Sequence, residues 1–386
     1  MKFIVVGGTG MMGHVAVRDL FETTKDEIVI VARNGAEQAG RKYNSQRVTG
    51  IDLDVKKYKQ AATAFADADV VLNCAIYYVN LDVMQACLRA GCNYLDLGGL
   101  FHMTKKQLTL DKKFKDAGLT AILGIGSTPG ITNVLAAYGS REFEKIDSIE
   151  IKVGWRDFSK RVGPEPTIPY AISTLVDEFT QPPAIFQNGK MKFVEPVSGK
   201  EKVNFPKPIA ARTAFYTLHS ELATFPQNFV NKGIKNASFR VSFDDEFVSN
   251  IIYLAKLGMT KKEPVNYNGM KISPLDFLVH TVAQQPVGKV KKLEDYECLR
   301  VEVKGLTTQG SKSKALQIDC LAKSYPKYGF AAGDMDTGTP PSIVAQMIAN
   351  KEIKEQGVMP PEFHIPEELF FKELEKRGMS INKRWV

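Results

Sequence analysis

Short apolar runs alternate with amphipathic stretches through the first 135 residues of the chain. The runs are rich in β-branched residues, which is typical of strands buried on both faces of a parallel sheet. The stretches between them carry apolar residues at helical spacing. The predicted strands are 3–6, 28–31, 70–72, 94–95 and 120–123, and the predicted helices are 11–21, 55–66, 83–90 and 105–115. This alternation predicts an α/β fold with a doubly wound parallel sheet of the Rossmann type.

The pattern changes near residue 145. Apolar and polar residues then alternate at 149–153, 301–304 and 316–319, which predicts half-buried strands of a mixed or antiparallel sheet. Helical spacing returns at 342–350 and 367–377. Because 386 residues exceed the usual size of one core, we expect two lobes. The predicted regions are 1–135 as a dinucleotide-binding domain, 136–332 as an α/β domain for substrate and dimerisation, and 333–386 as helices returning to the first domain.

A glycine-rich loop lies between the first predicted strand and the first predicted helix. It satisfies the pattern GxGxxG at Gly8, Gly10 and Gly13. One glycine permits a tight turn, the second lets the backbone approach a pyrophosphate, and the third allows helix and strand to pack closely. The pyrophosphate then lies on the free N–H groups at the start of the helix. The predicted cofactor contacts here are Gly7, Gly8, Thr9, Gly10, Met11, Met12 and Gly13.

The end of the second strand bears on the choice of cofactor. NAD-binding domains place an acidic residue there for the ribose hydroxyls, whereas this chain has Arg33 followed by Asn34. The Arg33 guanidinium can pair with the 2′-phosphate of NADP, so we expect NADP, with NAD as the alternative.

Residues that follow the other parallel strands are expected at the same edge of the sheet. After the strand at 70–72 come Cys74, Ala75 and Ile76, predicted to contact the cofactor, and Tyr77, predicted to contact the substrate. Cys74 is interpreted as a packed residue rather than a nucleophile. Further along the chain, Gly98, Thr128 and Pro129 are also predicted to contact the cofactor.

Composition narrows the class of protein further. The net charge of +8 is spread along the chain instead of concentrated in one patch, so we expect no nucleic-acid partner. No apolar run is long enough for a membrane span. The five cysteines contain no CxxC pair, which argues against a zinc cluster or a disulfide framework and favours a reduced, cytoplasmic protein without a bound metal. A homodimer is expected because two-fold dimers are the commonest oligomers.

The sequence also resembles the saccharopine dehydrogenase family, which includes saccharopine reductases, lysine 6-dehydrogenases and carboxynorspermidine dehydrogenases. The glycine loop, the segment 123–133 and the ending carry the resemblance. The ending comprises Thr-Gly-Thr-Pro-Pro at 337–341, Gly-Val-Met-Pro-Pro-Glu at 357–362 and Arg-Gly at 377–378. The segment His-Ser-Glu at 219–221 is similar to the family more loosely. The resemblance implies hydride transfer between an amine-bearing carbon and the nicotinamide, with an amino acid such as saccharopine or lysine, or a related amine, as substrate.

Some positions depart from the saccharopine reductases. Thr128 stands where they carry Asp, and Gly154-Trp155 stands where they carry Cys-Gly-Gly. Their substrate-holding arginine is replaced near Ser220-Glu221. Saccharopine itself is therefore open to question as the substrate, and an NADP-binding sensor or assembly protein without turnover stands as the alternative function.

Amine oxidation needs a proton acceptor, because the amine loses a proton before it gives up hydride. His219 is the candidate catalytic base, since its ordinary pKa suits the task. Glu221 is a candidate for recognising a substrate ammonium, and Arg240 for binding a substrate carboxylate. Asn133 and Tyr170 are candidate substrate contacts through the resemblance alone.

Overall fold

The computed structural model describes residues 1–163, 170–285, 288–308, 310 and 312–386. The strands within these ranges are, in chain order, β1 (Lys2–Val6), β2 (Glu27–Ala32), β3 (Val48–Asp52), β4 (Val70–Asn73), β5 (Asn93–Asp96), β6 (Thr120–Ile122), β7 (Phe143–Asp157), β8 (Lys160–Val162), β9 (Ala184–Gln187), β10 (Lys190–Phe193), β11 (Glu201–Asn204), β12 (Ala211–Tyr216), β13 (Asn236–Ser242), β14 (Val265–Tyr267), β15 (Met270–Ile272), β16 (Lys289–Lys292), β17 (Asp295–Thr307), β18 (Ser313–Lys323), β19 (Gly357–Met359) and β20 (Ser380–Trp385).

The α-helices of the described residues connect these strands. They are α1 (Met11–Thr23), α2 (Ala36–Arg41), α3 (Tyr58–Ala64), α4 (Asn80–Ala90), α5 (Leu100–Leu108), α6 (Asp111–Asp116), α7 (Ile131–Ser140), α8 (Ile172–Thr180), α9 (Phe225–Asn228), α10 (Asp245–Lys256), α11 (Pro274–Ala283), α12 (Ala332–Ala349) and α13 (Glu367–Lys376). Single turns of 3₁₀ helix occur at Tyr77–Val79, Glu221–Ala223 and Val230–Lys232.

The first sheet has seven strands in the order β3-β2-β1-β4-β5-β6-β19. All neighbours run parallel, so the predicted doubly wound sheet is confirmed. Strand β1 pairs with β2 on one side and with β4 on the other, and the strand order reverses between β1 and β4. A crevice at the carboxyl ends of the strands is expected at this switch point, and ligands of such sheets bind there.

The second sheet is mixed, as the sequence predicts. Strands β7, β17 and β18 form a long antiparallel core, whereas β13 pairs with β7 in parallel. The alternating residues of β7 and β17 that face inward, such as Ile151 and Val301, are fully buried. They contact the helices that separate the two sheets, of which α7 and α12 lie against β17.

The end of the chain crosses between the sheets. Helix α12 packs on α1 of the first lobe, and β19 extends the first sheet beside β6. The last strand, β20, instead pairs with β18 in the second sheet. The prediction that the segment 333–386 consists of helices returning to the first lobe is therefore wrong for its last residues. β20 is mostly exposed and polar, so its sequence carries no apolar period that marks a strand.

Helix α12 also begins ten residues earlier than the predicted start at residue 342. It contains Pro340 and Pro341, which have no N–H group and ordinarily predict a helix boundary. Burial of the segment in the core between the two sheets overrides that local preference.

A buried ion pair on the outer face of the second sheet allows a test of this packing. Arg300 and Asp319, which are 3% and 4% exposed, form a bidentate pair with N–O distances of 2.7 and 3.0 Å. Replacing Asp319→Ala leaves the guanidinium buried without its carboxylate, and we expect a loss of about 3–5 kcal/mol in the free energy of unfolding. Urea denaturation measures this loss. The double variant Arg300→Met, Asp319→Leu is the control, because it removes both charges and is expected to lose much less; an equal loss would contradict the explanation.

Candidate functional site

The glycine loop closes tightly over the switch point. Gly7 has φ +75° and donates its N–H to the Val31 carbonyl at 2.7 Å. A Cβ at Gly7 would lie 2.7 Å from the backbone nitrogen of Ala75, and one at Gly13 would lie 2.3 Å from the Gly7 oxygen. The left-handed position of the turn is thus Gly7, one residue before the first glycine of the motif. Gly13 lets helix α1 approach the loop, as the motif requires.

The start of helix α1 is open to a ligand. Gly10 is the N-cap residue, and it provides no side chain to cap the helix. Thr9, Gly10 and Met11 are exposed, and the first turn contains no acidic residue. Free N–H groups and the positive end of the helix dipole are what a pyrophosphate needs. The loop therefore fits the diphosphate of a dinucleotide.

At the end of β2, Arg33 and Asn34 are exposed beside this loop. The carboxylate that ends β3, Asp52, accepts hydrogen bonds from the N–H groups of Gly35 and Ala36 at 3.1 and 2.6 Å. It is therefore engaged at the start of α2. The arginine of this edge remains available for a phosphate.

The segment after β4 lies directly under the glycine loop. Cys74 donates its N–H to the Val6 carbonyl at 2.8 Å, and Ala75 approaches Gly7 closely. Burial, assisted by the charge of Asp96, raises the pKa of Cys74 to about 12. A thiol with so high a pKa is a poor nucleophile, which agrees with its interpretation as a packed residue.

Asp96, at the end of β5, organises two neighbouring loops. Its buried carboxylate accepts hydrogen bonds from the N–H groups of Gly98 at 2.8 Å and Gly124 at 2.7 Å. The side chains of Tyr94 and Gln107 donate to its other oxygen at 2.7 and 2.6 Å. The sequence pointed to the neighbouring Gly98 as a cofactor contact but gave no role to Asp96. The signal available was a carboxylate that ends a buried strand.

The two loops that Asp96 holds meet the second lobe. Gly98 and Gly124 have φ of +118° and +72°, and a Cβ on either would lie within 2.8 Å of the Pro129 side chain. A Cβ at Gly98 would also lie 3.4 Å from Ser220 Oγ. Only glycine fits both positions, so the first lobe approaches the segment that contains His219.

His219 and Glu221 form a buried pair at this junction. His219 Nδ1 lies 2.5 Å from Glu221 Oε2, and its ring stacks on Phe239 at 3.8 Å between centroids. The hydroxyls of Thr128 and Thr132 donate to Glu221 Oε1 at 2.6 and 3.0 Å. Glu221 therefore receives hydrogen bonds from the first lobe and fixes the imidazole of the second.

The electrostatics of this pair favour its charged form. Burial by itself lowers the pKa of His219, but the charges of Glu221 and Glu178 outweigh it and raise that pKa above its ordinary value. Burial raises the pKa of Glu221, and the neighbouring His219 outweighs it, so that the pKa is lowered. Within the described residues nothing hydrogen-bonds Nε2 of His219, which leaves that atom for a ligand.

Helix α8 adds two further carboxylates. Tyr170 donates its hydroxyl to Glu178 Oε2 at 2.6 Å, and burial raises the pKa of Glu178 to about 6. The neighbouring Asp177 accepts hydrogen bonds from Tyr77 at 2.6 Å and Lys262 at 2.9 Å. Tyr77 belongs to the first lobe, so this contact bridges the lobes near His219. Sequence analysis missed both carboxylates; the available signal was an acidic pair within an amphipathic helix.

Two predicted substrate contacts have other partners. The Asn133 amide accepts the Gly130 N–H at 2.9 Å and donates to Glu362 at 2.7 Å, so it is a buried structural link. Arg240 lies next to Phe239 on β13, and neighbouring strand residues point to opposite faces. Arg240 therefore faces away from His219.

The guanidinium of Arg240 is fully engaged on that other face. It hydrogen-bonds the Gly199 carbonyl at 3.0 Å, the Tyr216 hydroxyl at 2.6 Å and the Glu150 carboxylate at 3.4 Å. The structure thus brings together Thr128, His219, Glu221, Tyr170 and Tyr77, and it separates Arg240 from them.

The described part of the chain offers neither a metal site nor a membrane-spanning helix. No group of His, Cys, Asp and Glu side chains there is arranged to hold a metal ion. Among the described helices, none combines the length and apolar character needed to cross a membrane.

Comparison with known proteins identifies both lobes. Residues 3–122 match the saccharopine dehydrogenase NADP binding domain, and residues 126–379 match the saccharopine dehydrogenase C-terminal domain. The carboxyaminopropylagmatine dehydrogenase of Synechocystis is 28% identical over 375 residues, covering 92% of this chain and 91% of the relative. The carboxynorspermidine synthase of Vibrio cholerae is 24% identical over 367 residues, covering 89% and 84%.

Solved structures share the fold over the whole chain. Saccharopine dehydrogenase (L-Glu forming) from Saccharomyces cerevisiae superposes with a TM-score of 0.75 at 16% identity, covering 100% of this chain and 99% of that one. Homospermidine synthase from Legionella pneumophila, in complex with NAD, gives 0.72 at 13% identity, covering 100% and 91%. The chain belongs to the saccharopine dehydrogenase family and is an NADP-binding oxidoreductase.

Proposed function

We propose that the protein acts on the C–N bond of a carboxylated polyamine, an amino acid whose extended side chain carries further amines. The buried pair of His219 and Glu221 at the junction of the lobes, with Asp177 and Glu178 beside it, is the observation that carries this proposal. Two curated relatives support it, because they are named for carboxyaminopropylagmatine and carboxynorspermidine, and each of these compounds combines a carboxyl group with several basic nitrogen groups.

The sign of the charge in the site supports a cationic substrate. Asp177, Glu178 and Glu221 bring three carboxylates to the junction, paired there with His219 and Lys262. Opposite charges in a partly desolvated site attract strongly, whereas like charges repel. Saccharopine carries three carboxylates and would meet repulsion. The replacement of a family arginine near Ser220-Glu221 acts in the same direction.

His219 is the proposed catalytic residue. A substrate amine must lose a proton when its carbon is oxidised, and Nε2 of His219 is the nitrogen free to take it. Glu221 is a positioning residue, because its carboxylate holds Nδ1 and fixes the orientation of the ring. Bound NADP supplies the hydride acceptor or donor, and the exposed Gly10 backbone, the start of α1 and Arg33 are the groups proposed to hold it.

Oxidation of candidate substrates tests the proposal directly. Purified protein with NADP⁺ is mixed in turn with carboxyaminopropylagmatine, carboxynorspermidine, saccharopine and lysine, and the absorbance of NADPH is followed. We expect the highest kcat/KM with a carboxylated polyamine. Higher kcat/KM with saccharopine or lysine would contradict the proposed substrate class. Tight NADPH binding without turnover of any of these compounds would favour the non-catalytic alternative.

Cofactor preference is expected to depend on Arg33. Replacing Arg33→Ala removes a charge-assisted hydrogen bond to a 2′-phosphate, so the Kd of NADPH is expected to rise by about 10- to 100-fold. The Kd of NADH is expected to stay unchanged, since NADH lacks that phosphate. Nucleotide fluorescence measures both constants. Arg89→Ala, an exposed arginine on α4 of the same lobe, is the control. An equal rise in the Kd of NADPH and of NADH would mean that Arg33 does not bind the 2′-phosphate.

The pH dependence of turnover tests the His219–Glu221 pair. Oxidation needs a neutral imidazole, so kcat/KM is expected to rise with pH through the raised pKa of His219. In Glu221→Gln the carboxylate that favours the charged ring is gone, while burial still favours the neutral ring. The inflection is therefore expected at lower pH than in the wild type.

His219→Ala completes this test. We expect it to remove the inflection and to lower kcat by about 10²- to 10⁴-fold, with NADP⁺ affinity unchanged. His102→Ala, an exposed histidine on α5, is the matched control. An inflection that survives in His219→Ala would assign proton transfer to another group.

A further inference from the structure

Four carboxylates gather where strand β17 meets the start of helix α12. They belong to Asp295, Glu297, Asp334 and Asp336. Asp295 accepts the Ala332 N–H at 3.1 Å and the Trp155 indole N–H at 3.1 Å. Asp334 accepts the Ala331 N–H at 2.8 Å. These two carboxylates therefore have structural partners at the helix start.

The other two carboxylates have few partners among the described residues, and Asp336 Oδ1 accepts only a long hydrogen bond, 3.5 Å, from the Thr337 hydroxyl. Asp336 is 0% exposed, and its Oδ2 has no hydrogen-bond partner among the described residues. Glu297 is half-buried, and its Oε2 lies 2.8 Å from the point where a Cβ of Gly333 would be, so glycine is what leaves room for it. Gly333 and Asp336 are three residues apart on α12 and share one face of the helix. A buried acceptor without a donor is costly, which points to a donor supplied by a ligand.

An aromatic ring lies beside Glu297. Trp155 is directly opposite Glu297 in the antiparallel pairing of β7 with β17, so the two side chains share a face. Aromatic rings and carboxylates together recognise organic cations. Trp155 is also a position at which the sequence departs from the saccharopine reductases.

These residues connect to the site that contains His219. Thr337 follows Asp336 in the chain, and its hydroxyl oxygen lies 3.0 Å from Ser127 Oγ. Thr128, the residue after Ser127, donates a hydrogen bond to Glu221. On the other side, Glu297 raises the pKa of Tyr170, whose hydroxyl binds Glu178. Carboxyl groups thus extend from His219 to Glu297.

Burial and the mutual repulsion of these carboxyl groups favour their protonated forms. Burial, and then the charges of Asp295 and Asp334, raises the pKa of Glu297 to about 8. Burial, and then the charge of Glu297, also raises the pKa of Asp336. A bound cation would relieve this repulsion.

We infer that Glu297 and Asp336, with Trp155 beside them, form a subsite for the remote ammonium or guanidinium group of the substrate. This inference rests on the proposed function, which places the reacting nitrogen at His219. It adds which residues hold the charged group at the far end of that substrate. The subsite selects amines by charge number and length.

Binding without turnover tests the subsite. The Kd values of agmatine, 1,3-diaminopropane and 1,4-diaminobutane, and of the monoamines n-propylamine and n-butylamine, are measured by calorimetry on the protein saturated with NADP⁺. We expect the wild type to bind at least one of the dicationic amines about tenfold or more tightly than the monoamine of matching length, because charge-assisted hydrogen bonds are strong. Equal affinity for dications and monoamines would overturn the inference.

The variants Glu297→Gln and Asp336→Asn keep the shape and remove the charge. Each is expected to abolish the preference for the dication while leaving the Kd of the monoamine and of NADP⁺ unchanged. Glu294→Gln, an isosteric change close by in sequence whose carboxylate pairs with Lys292, is the control and should keep the preference.

The outcomes separate the two proposals. A preference that persists in either Glu297→Gln or Asp336→Asn, with NADP⁺ still bound, overturns the inference, so one folded variant is enough. A preference that these variants abolish supports the subsite even if His219→Ala leaves turnover unchanged, which would instead overturn the proposed role of the His219 pair.

Discussion

The arrangement of the two lobes depends on one fully buried carboxylate. Glu221 comes from the second lobe, accepts hydrogen bonds from Thr128 and Thr132 of the first lobe, and holds His219. Removing a carboxylate from water is costly, and these donors and the imidazole compensate for that cost. The contacts that compensate for this cost also hold Thr128 and Thr132 of the first lobe against the segment of the second lobe that contains His219. The packing of the two lobes and the orientation of the His219 imidazole therefore depend on the same hydrogen bonds of Glu221.

Buried carboxylates recur wherever the lobes meet. Asp96 shapes the edge of the first sheet by fixing the loops at Gly98 and Gly124. Asp177 of the second lobe accepts the Tyr77 hydroxyl of the first. The negative charge is thus concentrated along the junction, while the net charge of the whole chain is +8. This local concentration of carboxylates supports the proposed cationic substrate.

The departures from the saccharopine reductases acquire a physical meaning in this arrangement. Thr128 replaces an aspartate of that group and donates a hydrogen bond to Glu221, so a neutral donor meets a carboxylate. Arg240 is held on the opposite face of the sheet by Tyr216 and Glu150. Trp155 lies opposite Glu297 at the second departure. Together these changes support the proposed recognition of positive charge in place of carboxylates.

The sequence by itself determined the first lobe, because buried parallel strands, helical spacing and the loop from Gly7 to Gly13 are all local patterns. It also offered His219 and Glu221 as candidates, which are two residues apart in one segment and are in contact in the structure. Tertiary structure alone decided which residues lie beside them: Tyr77 and Asp177, which form a hydrogen bond, are separated by 100 positions in the chain. It also decided that Arg240 faces away from His219, because Arg240 is the neighbour of Phe239 on β13 and successive strand residues point to opposite faces. Local periodicity fixes an element and its buried side, whereas the meeting of distant side chains depends on how the sheets pack.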